Sequence, residues 1–239
     1  GYTDTASIMA FGYNPFLAKW SPYHGAAYAV VEAAAKVVAA GGRYERMRYS
    51  YQEYFERMTR NAESWGKPLS ALLGALKMQV ELGLPSIGGK DSMSGTFQHI
   101  NVPPMLMAFG ITTVDARRVI STDLKGAGHR IYLVRHTPLE NYMPDTAQLK
   151  ENFAIASGKV LAAWSVGFGG VAEGLAKMAF GNGIGVETEL AEERLYEYAY
   201  GSILVECEGT LEFPRAELVG FTVADEALTV CGERMPLDE

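Results

Sequence analysis

Leu84–Gly95 reads LPSIGGKDSMSG, a short apolar run that leads into two glycines and a cluster of polar side chains. Residues 84–87 are typical of a strand that follows a helix. The glycines allow the backbone to approach a ligand closely. A lysine, a carboxylate and two hydroxyls follow within five residues. Such a set offers a phosphate a cation and hydrogen-bond donors, and its carboxylate can orient an ammonia, a hydroxyl or a magnesium-bound water.

This stretch is not a P-loop, because that pattern places a glycine six residues before the lysine and a serine or threonine directly after it. Leu84 and Asp91 occupy those two positions. A polar turn that caps a strand and binds nothing is the alternative that the spacing leaves open.

The composition favours a globular protein without a nucleic-acid or anionic-membrane surface. Of the 239 residues, 48% are hydrophobic and 21% are charged, and the net charge is −7. This length has room for one large or two modest domains. A surface that binds nucleic acid or anionic lipid would need a basic patch, although local phosphate sites remain compatible with this charge.

The cysteines and the chain start favour a cytoplasmic fragment. Cys207 and Cys231 form no CxxC pair or disulfide framework, which fits a reducing compartment. No signal peptide is expected at residues 1–4, and the apolar stretch 26–40 is too short and too charged to span a bilayer. The first residue is not methionine and lies close to a predicted strand, so we expect a piece of a longer protein.

Local patterns predict alternating helices and strands, hence an α+β or α/β fold. Ser21 as N-cap and Pro22 at the first helical position open a largely buried helix to Ala40. The other predicted helices cover residues 52–61, 68–82, 146–157 and 170–180, and the predicted strands cover 43–51, 97–100, 105–114, 130–134, 160–165 and 185–189. The helix at 68–82 is predicted to be amphipathic, with Leu72, Leu73, Leu76 and Val80 on one side. Strands 97–100 and 105–114 are predicted to form a hairpin-like pair. The predicted boundary at Lys125–Gly128 gives domains of residues 1–125 and 126–239.

Three stretches, in this order along the chain, resemble phosphoribosylformylglycinamidine synthase. They are residues 20–42 (WSPYHGAAYAVVEAAAKVVAAGG), 83–97 (GLPSIGGKDSMSGTF) and 169–187 (GGVAEGLAKMAFGNGIGVE), within a likeness that covers most of the chain. The GKDSMSG string resembles the second synthetase-like half of the large, single-chain form. The other two stretches are similar also to relatives such as aminoimidazole ribonucleotide synthetase. The resemblance implies an N-terminal αβ subdomain plus a C-terminal α/β subdomain, with N-terminal subdomains packed across a pseudo-twofold axis.

The resemblance also implies an activity, cofactors and partners. The family uses ATP, Mg²⁺ and glutamine-derived ammonia to convert formylglycinamide ribonucleotide to its amidine in purine synthesis. Its catalytic histidine lies in the first synthetase-like half, and its glutaminase is a carboxy-terminal domain. We therefore expect no catalytic residue in this chain, and its partners are those two parts of the same longer protein together with the ribonucleotide.

By the same resemblance, Gly89, Lys90, Asp91 and Ser92 line the synthetase site between the two halves. Lys90 would offset the negative charge that builds on the transferred phosphoryl group. Ser92 would donate a hydrogen bond to a phosphate. Asp91 would orient a donor or a metal-bound water, or else cap its own turn.

Glu32 is the candidate magnesium ligand, because the aligned helix places it on a metal-binding glutamate of the family. The alternative is an i,i+4 ion pair with Lys36. Lys36 stands where nucleotide-binding members carry an asparagine ligand, and its charge would repel magnesium. The sequence therefore favours the ion pair.

Residues 164–170 follow a strand into a glycine turn at a helix N-terminus, a common anion site. Nucleotide-binding relatives carry Asp, Ser and Asp at the places of Ser165, Gly167 and Phe168. With these groups replaced, the nucleotide pocket of this half is predicted to be degenerate.

The remaining candidates favour structural roles. His24 could contact a ligand from the first turn of its helix, whereas the spacing of His99, His129 and His136 does not suggest a metal site. The tyrosines at 196, 198 and 200 more readily pack than bind. Two alternatives to the ligase remain, namely a stand-alone synthetase of the aminoimidazole ribonucleotide or selenophosphate type, and a structural half that binds nothing.

Overall fold

Two β-sheets organise the chain, which a computed structural model describes at residues 2–157 and 159–238. The helices are α1 (Pro15–Trp20), α2 (Pro22–Ala39), α3 (Ala62–Leu82), α4 (Thr146–Asn152), α5 (Gly170–Phe180) and α6 (Glu192–Leu195). The strands are β1 (Thr5–Gly12), β2 (Arg48–Tyr54), β3 (Ser86–Lys90), β4 (Thr96–Phe97), β5 (Ile100–Asn101), β6 (Met105–Asp115), β7 (Arg130–Val134), β8 (Ala162–Ser165), β9 (Gly185–Thr188), β10 (Ile203–Cys207), β11 (Ala216–Val223), β12 (Ala227–Val230) and β13 (Glu233–Pro236). This mixed architecture confirms the predicted α+β fold class.

The first sheet has the strand order β1-β6-β2-β3. Strand β6 is antiparallel to β1 and β2, whereas β2 and β3 run parallel. Helix α2 packs on β1 and β6, and α3 packs on α2. The alternation of side chains along each strand buries Tyr49, Leu106 and Ala108 and leaves Met9 and Ile111 exposed. One face of this sheet is therefore covered, and the other carries exposed apolar side chains.

The second sheet has the order β13-β12-β9-β11-β7-β10-β8 and is antiparallel except between β9 and β12. Helix α5 packs on β8 and β9. Leu133, Leu204, Val171 and Met178 lie in the core of this unit.

Helix α2 connects the two sheets through one core. Ser21 caps its first turn by accepting a hydrogen bond from the His24 amide at 3.3 Å, as predicted. Val31 belongs to the same buried cluster as Ile203 and Val205 of the second sheet. Because this core crosses residue 125, the division into domains of residues 1–125 and 126–239 stays a prediction.

Two predicted boundaries around residues 52–68 are wrong. Strand β2 continues to Tyr54, and residues 55–61 contain no helix. Helix α3 begins at Ala62, where the Asn61 side chain accepts a hydrogen bond from the Glu63 amide at 3.1 Å. Pro68 therefore lies inside the helix rather than at its start, because the asparagine cap competes successfully with the proline signal.

The predicted pairing of residues 97–100 with 105–114 is also wrong. Strand β4 pairs with β5 in a small hairpin, and β6 pairs with β1 and β2 instead. Strand β6 lies between β1 and β2, both distant from it in sequence, and local sequence patterns do not reveal such long-range pairing.

Helix α3 is apolar on two sides. The buried side contacts α2 through small residues, where a Cβ on Gly74 would come within 2.0 Å of the Tyr23 carbonyl oxygen. The opposite, exposed side defines an α3 stripe of five apolar side chains, Leu69, Leu72, Leu73, Leu76 and Val80, which are 45–72% exposed. The predicted amphipathic face thus points away from this chain's own core.

None of the helices in the described ranges combines the length and the apolar character that a membrane span requires.

Candidate functional site

The candidate loop at Gly89–Ser92 begins in β3, the edge strand of the first sheet. Close contacts with β2 restrict which residues fit at its start. Strand β3 pairs in parallel with β2, and Gly89 lies opposite Tyr51. A Cβ on Gly89 would come within 2.5 Å of the Tyr51 carbonyl oxygen, so only glycine allows this approach. Gly88 adopts a φ of +148°, a conformation that L side chains rarely adopt.

Backbone hydrogen bonds hold the residues after β3 in place. The Ser92 amide donates to the Glu53 carbonyl at 3.1 Å, and the Phe55 amide donates to the Ser92 carbonyl at 2.9 Å. The Gly95 amide donates to the Phe55 carbonyl at 2.9 Å. The loop is therefore a tethered continuation of the sheet edge, although it lies at the surface.

The candidate side chains point outward from this tethered backbone. Lys90 and Asp91 are exposed, and Ser92 is half-buried with its hydroxyl 3.1 Å from that of Ser94. Gly89, Lys90 and Asp91 border a cavity of about 250 Å³ at the edge of the sheet. The structure thus brings a cation, a carboxylate and two hydroxyls to one accessible edge, where they can contact an anionic ligand.

Glu53 completes this cavity, although no motif in the sequence singled it out. Its side chain is 8% exposed and borders the cavity beside Asp91. Burial, followed by the nearby Asp91 carboxylate, raises the pKa of Glu53 to about 7. Extending the alternation of Tyr49 and Tyr51 by one step would have placed Glu53 on the buried face of β2.

Glu32 and Lys36 form an ion pair, the arrangement that the sequence favoured. The Lys36 ammonium lies 2.7 Å from Glu32 Oε1, and the Tyr13 amide donates to Glu32 Oε2 at 3.0 Å. Lys36 also donates to the Phe11 carbonyl at 3.0 Å. Both carboxylate oxygens are engaged, and residues 2–157 and 159–238 contain no group of three or more His, Cys, Asp or Glu placed to hold a metal ion. These contacts do not fit Mg²⁺ at Glu32, and the magnesium assignment stays a prediction without a supporting contact.

The glycine turn before α5 is occupied by groups of this chain. The Gly169 amide donates to Glu173 Oε2 at 3.0 Å, and Glu173 Oε1 pairs with Lys177 at 2.6 Å. The Phe168 ring stacks on Phe16 with centroids 5.0 Å apart and an interplanar angle of 14°. A carboxylate therefore lies where an anion would bind the helix N-terminus, and an aromatic ring extends from the turn.

Three histidines have hydrogen-bond partners within the fold. His24 contacts the Ser21 hydroxyl at 2.8 Å and the Asn141 carbonyl at 3.0 Å. His129 contacts the buried Glu206 carboxylate at 2.7 Å. His136 contacts the Tyr200 carbonyl at 2.7 Å and accepts from the Asp145 amide at 3.0 Å, while burial lowers its pKa. These contacts account for the three side chains as structural groups.

The late tyrosines pack together. The rings of Tyr198 and Tyr200 stack with centroids 5.9 Å apart, and the Tyr200 hydroxyl accepts a hydrogen bond from the Asn14 amide group at 2.8 Å. Tyr196 is 60% exposed.

Gly89→Ala is expected to lower the free energy of unfolding by about 1–3 kcal/mol, because the added methyl group must displace the Tyr51 backbone. The matched control is Gly66→Ala in α3, where an added Cβ meets nothing within 4 Å. That control should be more stable than the native chain by about 0.5–1 kcal/mol. Urea denaturation of both variants measures the difference, and equal stabilities would contradict the close approach at Gly89.

The sequence and the fold of this chain were compared with those of known proteins. No protein-family model matches the sequence. The chain is 22% identical over 209 residues to the phosphoribosylformylglycinamidine synthase subunit PurL of Thermoplasma acidophilum, covering 77% of this chain and 26% of that protein.

Among solved structures, PurL of Thermotoga maritima in complex with FGAR superposes with a TM-score of 0.80 at 16% identity, over 100% of this chain and 46% of that one. Thiamine monophosphate kinase of Aquifex aeolicus superposes with a TM-score of 0.62 at 13% identity, over 97% of this chain and 89% of that one. The chain thus spans about a quarter of its curated relative and under half of the Thermotoga protein. The chain is homologous to PurL at low identity and has the aminoimidazole ribonucleotide synthetase-like fold that PurL shares with thiamine monophosphate kinase.

Proposed function

We propose that this chain is the second synthetase-like half of a phosphoribosylformylglycinamidine synthase of the large, single-chain form. In that role it takes part in the ATP- and glutamine-dependent conversion of formylglycinamide ribonucleotide to formylglycinamidine ribonucleotide. The observation that carries the proposal is the tethered loop, which presents Lys90, Asp91 and Ser92 at an accessible sheet edge in a fold shared with PurL in complex with FGAR.

Each loop residue has a distinct role in this proposal. Gly89 lets the backbone approach the ligand. The Lys90 ammonium faces phosphate and offsets charge that grows in the transition state. Ser92 donates a hydrogen bond to a phosphate oxygen, a charge-assisted contact. Asp91 orients a donor on the ligand or a water bound to magnesium. ATP and Mg²⁺ are the cofactors of the whole enzyme, with the metal ion supplying charge neutralisation at the phosphates.

The partners are the first synthetase-like half and the glutaminase domain of the same longer chain, in the cytoplasm. Two exposed apolar surfaces of this chain are an argument for such a partner. One is the α3 stripe, and the other is the uncovered face of the first sheet, which includes Met9 and Ile111. Apolar surfaces of this extent commonly mark protein interfaces. Residues 1–125 form the subdomain that packs against the first half, and residues 126–239 form the C-terminal subdomain.

The same proposal includes a degenerate nucleotide pocket in this half, in which groups of the chain itself occupy the places of nucleotide and metal ligands. Glu173 occupies the helix N-terminus before α5, Phe168 stacks on Phe16, and Lys36 pairs with Glu32. A magnesium-bound nucleotide would meet a carboxylate where its phosphates need donors and a lysine where its metal needs oxygen ligands.

Magnesium-ADP is therefore expected to bind weakly to this chain, with no saturable heat at millimolar nucleotide in isothermal calorimetry. Glu173→Gln is the control for the negative charge at the helix N-terminus. This variant should increase the affinity for free ADP more than for magnesium-ADP, because free ADP is the more negatively charged ligand. Tight binding that requires both magnesium and Glu32 would contradict a degenerate pocket.

The 239-residue chain alone is expected to form no amidine from formylglycinamide ribonucleotide, ATP and ammonia, because the catalytic histidine belongs to the first half. Mixing it with the separately produced first half should restore ammonia-dependent turnover. Product formation by the purified chain alone would favour a stand-alone synthetase, and no turnover or ligand binding in the mixture would favour a structural half.

A further inference from the structure

A cavity of about 460 Å³ is lined mainly by aromatic side chains from α1, α2 and the loops of the second sheet. Its volume falls in the range that is usual for small-molecule sites. Five of the lining aromatic residues are 54–67% exposed, namely Phe16, Trp20, Tyr142, Phe168 and Tyr198. Exposed apolar side chains that cluster in this way commonly mark a binding site.

The first wall of the cavity is a continuous row of rings. The Phe16 and Phe168 centroids lie 5.0 Å apart, and the Phe168 ring lies 6.2 Å from that of Tyr198. The row continues to Tyr200 at 5.9 Å, and from Tyr200 to Tyr28 at 5.7 Å. These separations are those of favourable aromatic pairs, so residues from distant parts of the chain form one aromatic surface.

The second wall consists of Trp20 and Tyr142. Their ring centroids lie 5.9 Å apart at an interplanar angle of 87°. Tyr142 adopts a φ of +62°, which is rare for a bulky side chain. Its amide donates to the Leu139 carbonyl at 2.8 Å, and its carbonyl accepts from the Tyr28 hydroxyl at 2.9 Å. The fold therefore holds Tyr142 in this unusual conformation beside Trp20.

The Tyr200 hydroxyl is a polar group of this cavity with an unused hydrogen. Tyr200 is 8% exposed, and its oxygen accepts from the Asn14 side-chain amide. Within residues 2–157 and 159–238 its own hydrogen has no acceptor. Burial raises the pKa of Tyr200 to about 12, so the hydroxyl keeps this hydrogen at neutral pH. Buried donors are normally paired, so an acceptor on a ligand would complete this group.

The lining argues against charged ligands. Among the residues that the structure describes, no Lys, Arg, His, Asp or Glu lines the cavity. A phosphate or a carboxylate would therefore find no cation. A quaternary ammonium ion would suit the rings but offers no acceptor to Tyr200. A flat, neutral ring that carries an acceptor atom matches both the aromatic walls and the free donor.

We propose that this cavity binds an uncharged, planar aromatic heterocycle. The ligand ring packs against the two aromatic walls, and its carbonyl oxygen or ring nitrogen accepts a hydrogen bond from the Tyr200 hydroxyl. The site does not rest on the proposed function, because its residues lie outside the Gly89–Ser92 loop and its ligand is not a phosphate.

NMR of the tryptophan indole N–H groups with caffeine as the probe tests the location of the site. Caffeine is neutral and planar, and it has carbonyl acceptors but no N–H donor. The chain contains three tryptophans. The Trp20 signal should shift and saturate with caffeine, whereas that of Trp65 in α3 should not. The two residues are a matched pair, since they are 61% and 57% exposed.

Calorimetric titrations of variants test the contacts. Tyr200→Phe should weaken caffeine binding by about three- to tenfold, the effect of one hydrogen bond. Its affinity for indole should stay unchanged, because indole is aromatic but lacks a good acceptor, and this result would show that the cavity is intact. Trp20→Ala should weaken the binding of both probes by about tenfold or more, and the control Trp65→Ala should weaken neither.

Equal shifts of the Trp20 and Trp65 signals, or native caffeine affinity in Trp20→Ala, would overturn the site. Tighter binding of tetramethylammonium than of caffeine would also overturn it, in favour of a cage for cations. These readouts require no ligase turnover, so the site and the proposed function can fail separately.

Discussion

Lys90→Ala is expected to lower kcat/KM of the complete ligase by about 100-fold or more. A charge that faces a phosphate in a site closed to water commonly contributes several kcal/mol to transition-state stabilisation. Lys90 is exposed at the loop edge, so its removal leaves no cavity in the core. Steady-state kinetics with ammonia as nitrogen donor measures the synthetase step by itself.

Ser92→Ala is the companion variant. It should act mainly on substrate affinity, because it removes one hydrogen bond to a charged group. Such a hydrogen bond contributes about 1.5–3 kcal/mol. Glutamine hydrolysis, measured alone, should stay unchanged in both variants because the proposed function assigns that chemistry to another domain. Thermal melts should also stay close to those of the native protein, since exposed loop residues seldom carry core energy. Near-normal kcat/KM in Lys90→Ala would show that the loop does not contact the ligand.

Glu53 is expected to lower the free energy of unfolding as the pH rises from about 4.5 to 7. The pKa of its carboxyl is about 7 in the folded chain against an ordinary value of 4.5, so the unfolded chain releases this proton at lower pH. The free energy of unfolding therefore falls between about pH 4.5 and 7. The total loss is up to roughly 3 kcal/mol, because one unit of pKa difference corresponds to about 1.4 kcal/mol. Glu53→Gln removes this cost and should be more stable than the native chain at pH 8.

Chemical denaturation at pH 5 and pH 8 measures the effect. The difference between Glu53→Gln and native stability should be small at pH 5 and large at pH 8. Glu56→Gln should show no such gain at pH 8, because Glu56 is paired with Lys67. A pH-independent difference for Glu53→Gln would contradict a buried carboxyl with a raised pKa.

Local signals in the sequence were sufficient where the physical cause was local. Ser21 and Pro22 predict the start of α2, and the structure places the Ser21 cap there. The spacing of Glu32 and Lys36 predicts an i,i+4 pair, and the two side chains lie 2.7 Å apart. Both depend only on residues within one or two helical turns.

Elements fixed by distant contacts could not be predicted in this way. Residues 52–54 belong to β2 because all three pair with β6 and Gln52 also pairs with β3, although their charge and composition favour a helix. The same pairing places Glu53 beside Asp91, which lies on the neighbouring strand's exit loop. The candidate loop was therefore predictable as a chemical motif, whereas its buried carboxyl neighbour required the fold.

Calorimetric titration of formylglycinamide ribonucleotide into this chain combined with the first synthetase-like half tests most directly whether the loop contacts the substrate phosphate. The native complex should bind the ribonucleotide, and the Lys90→Ala/Ser92→Ala complex should bind it about tenfold or more weakly, a difference of at least about 1.4 kcal/mol. Equal affinities in two complexes that assemble to the same extent would contradict a phosphate-binding loop at Gly89–Ser92.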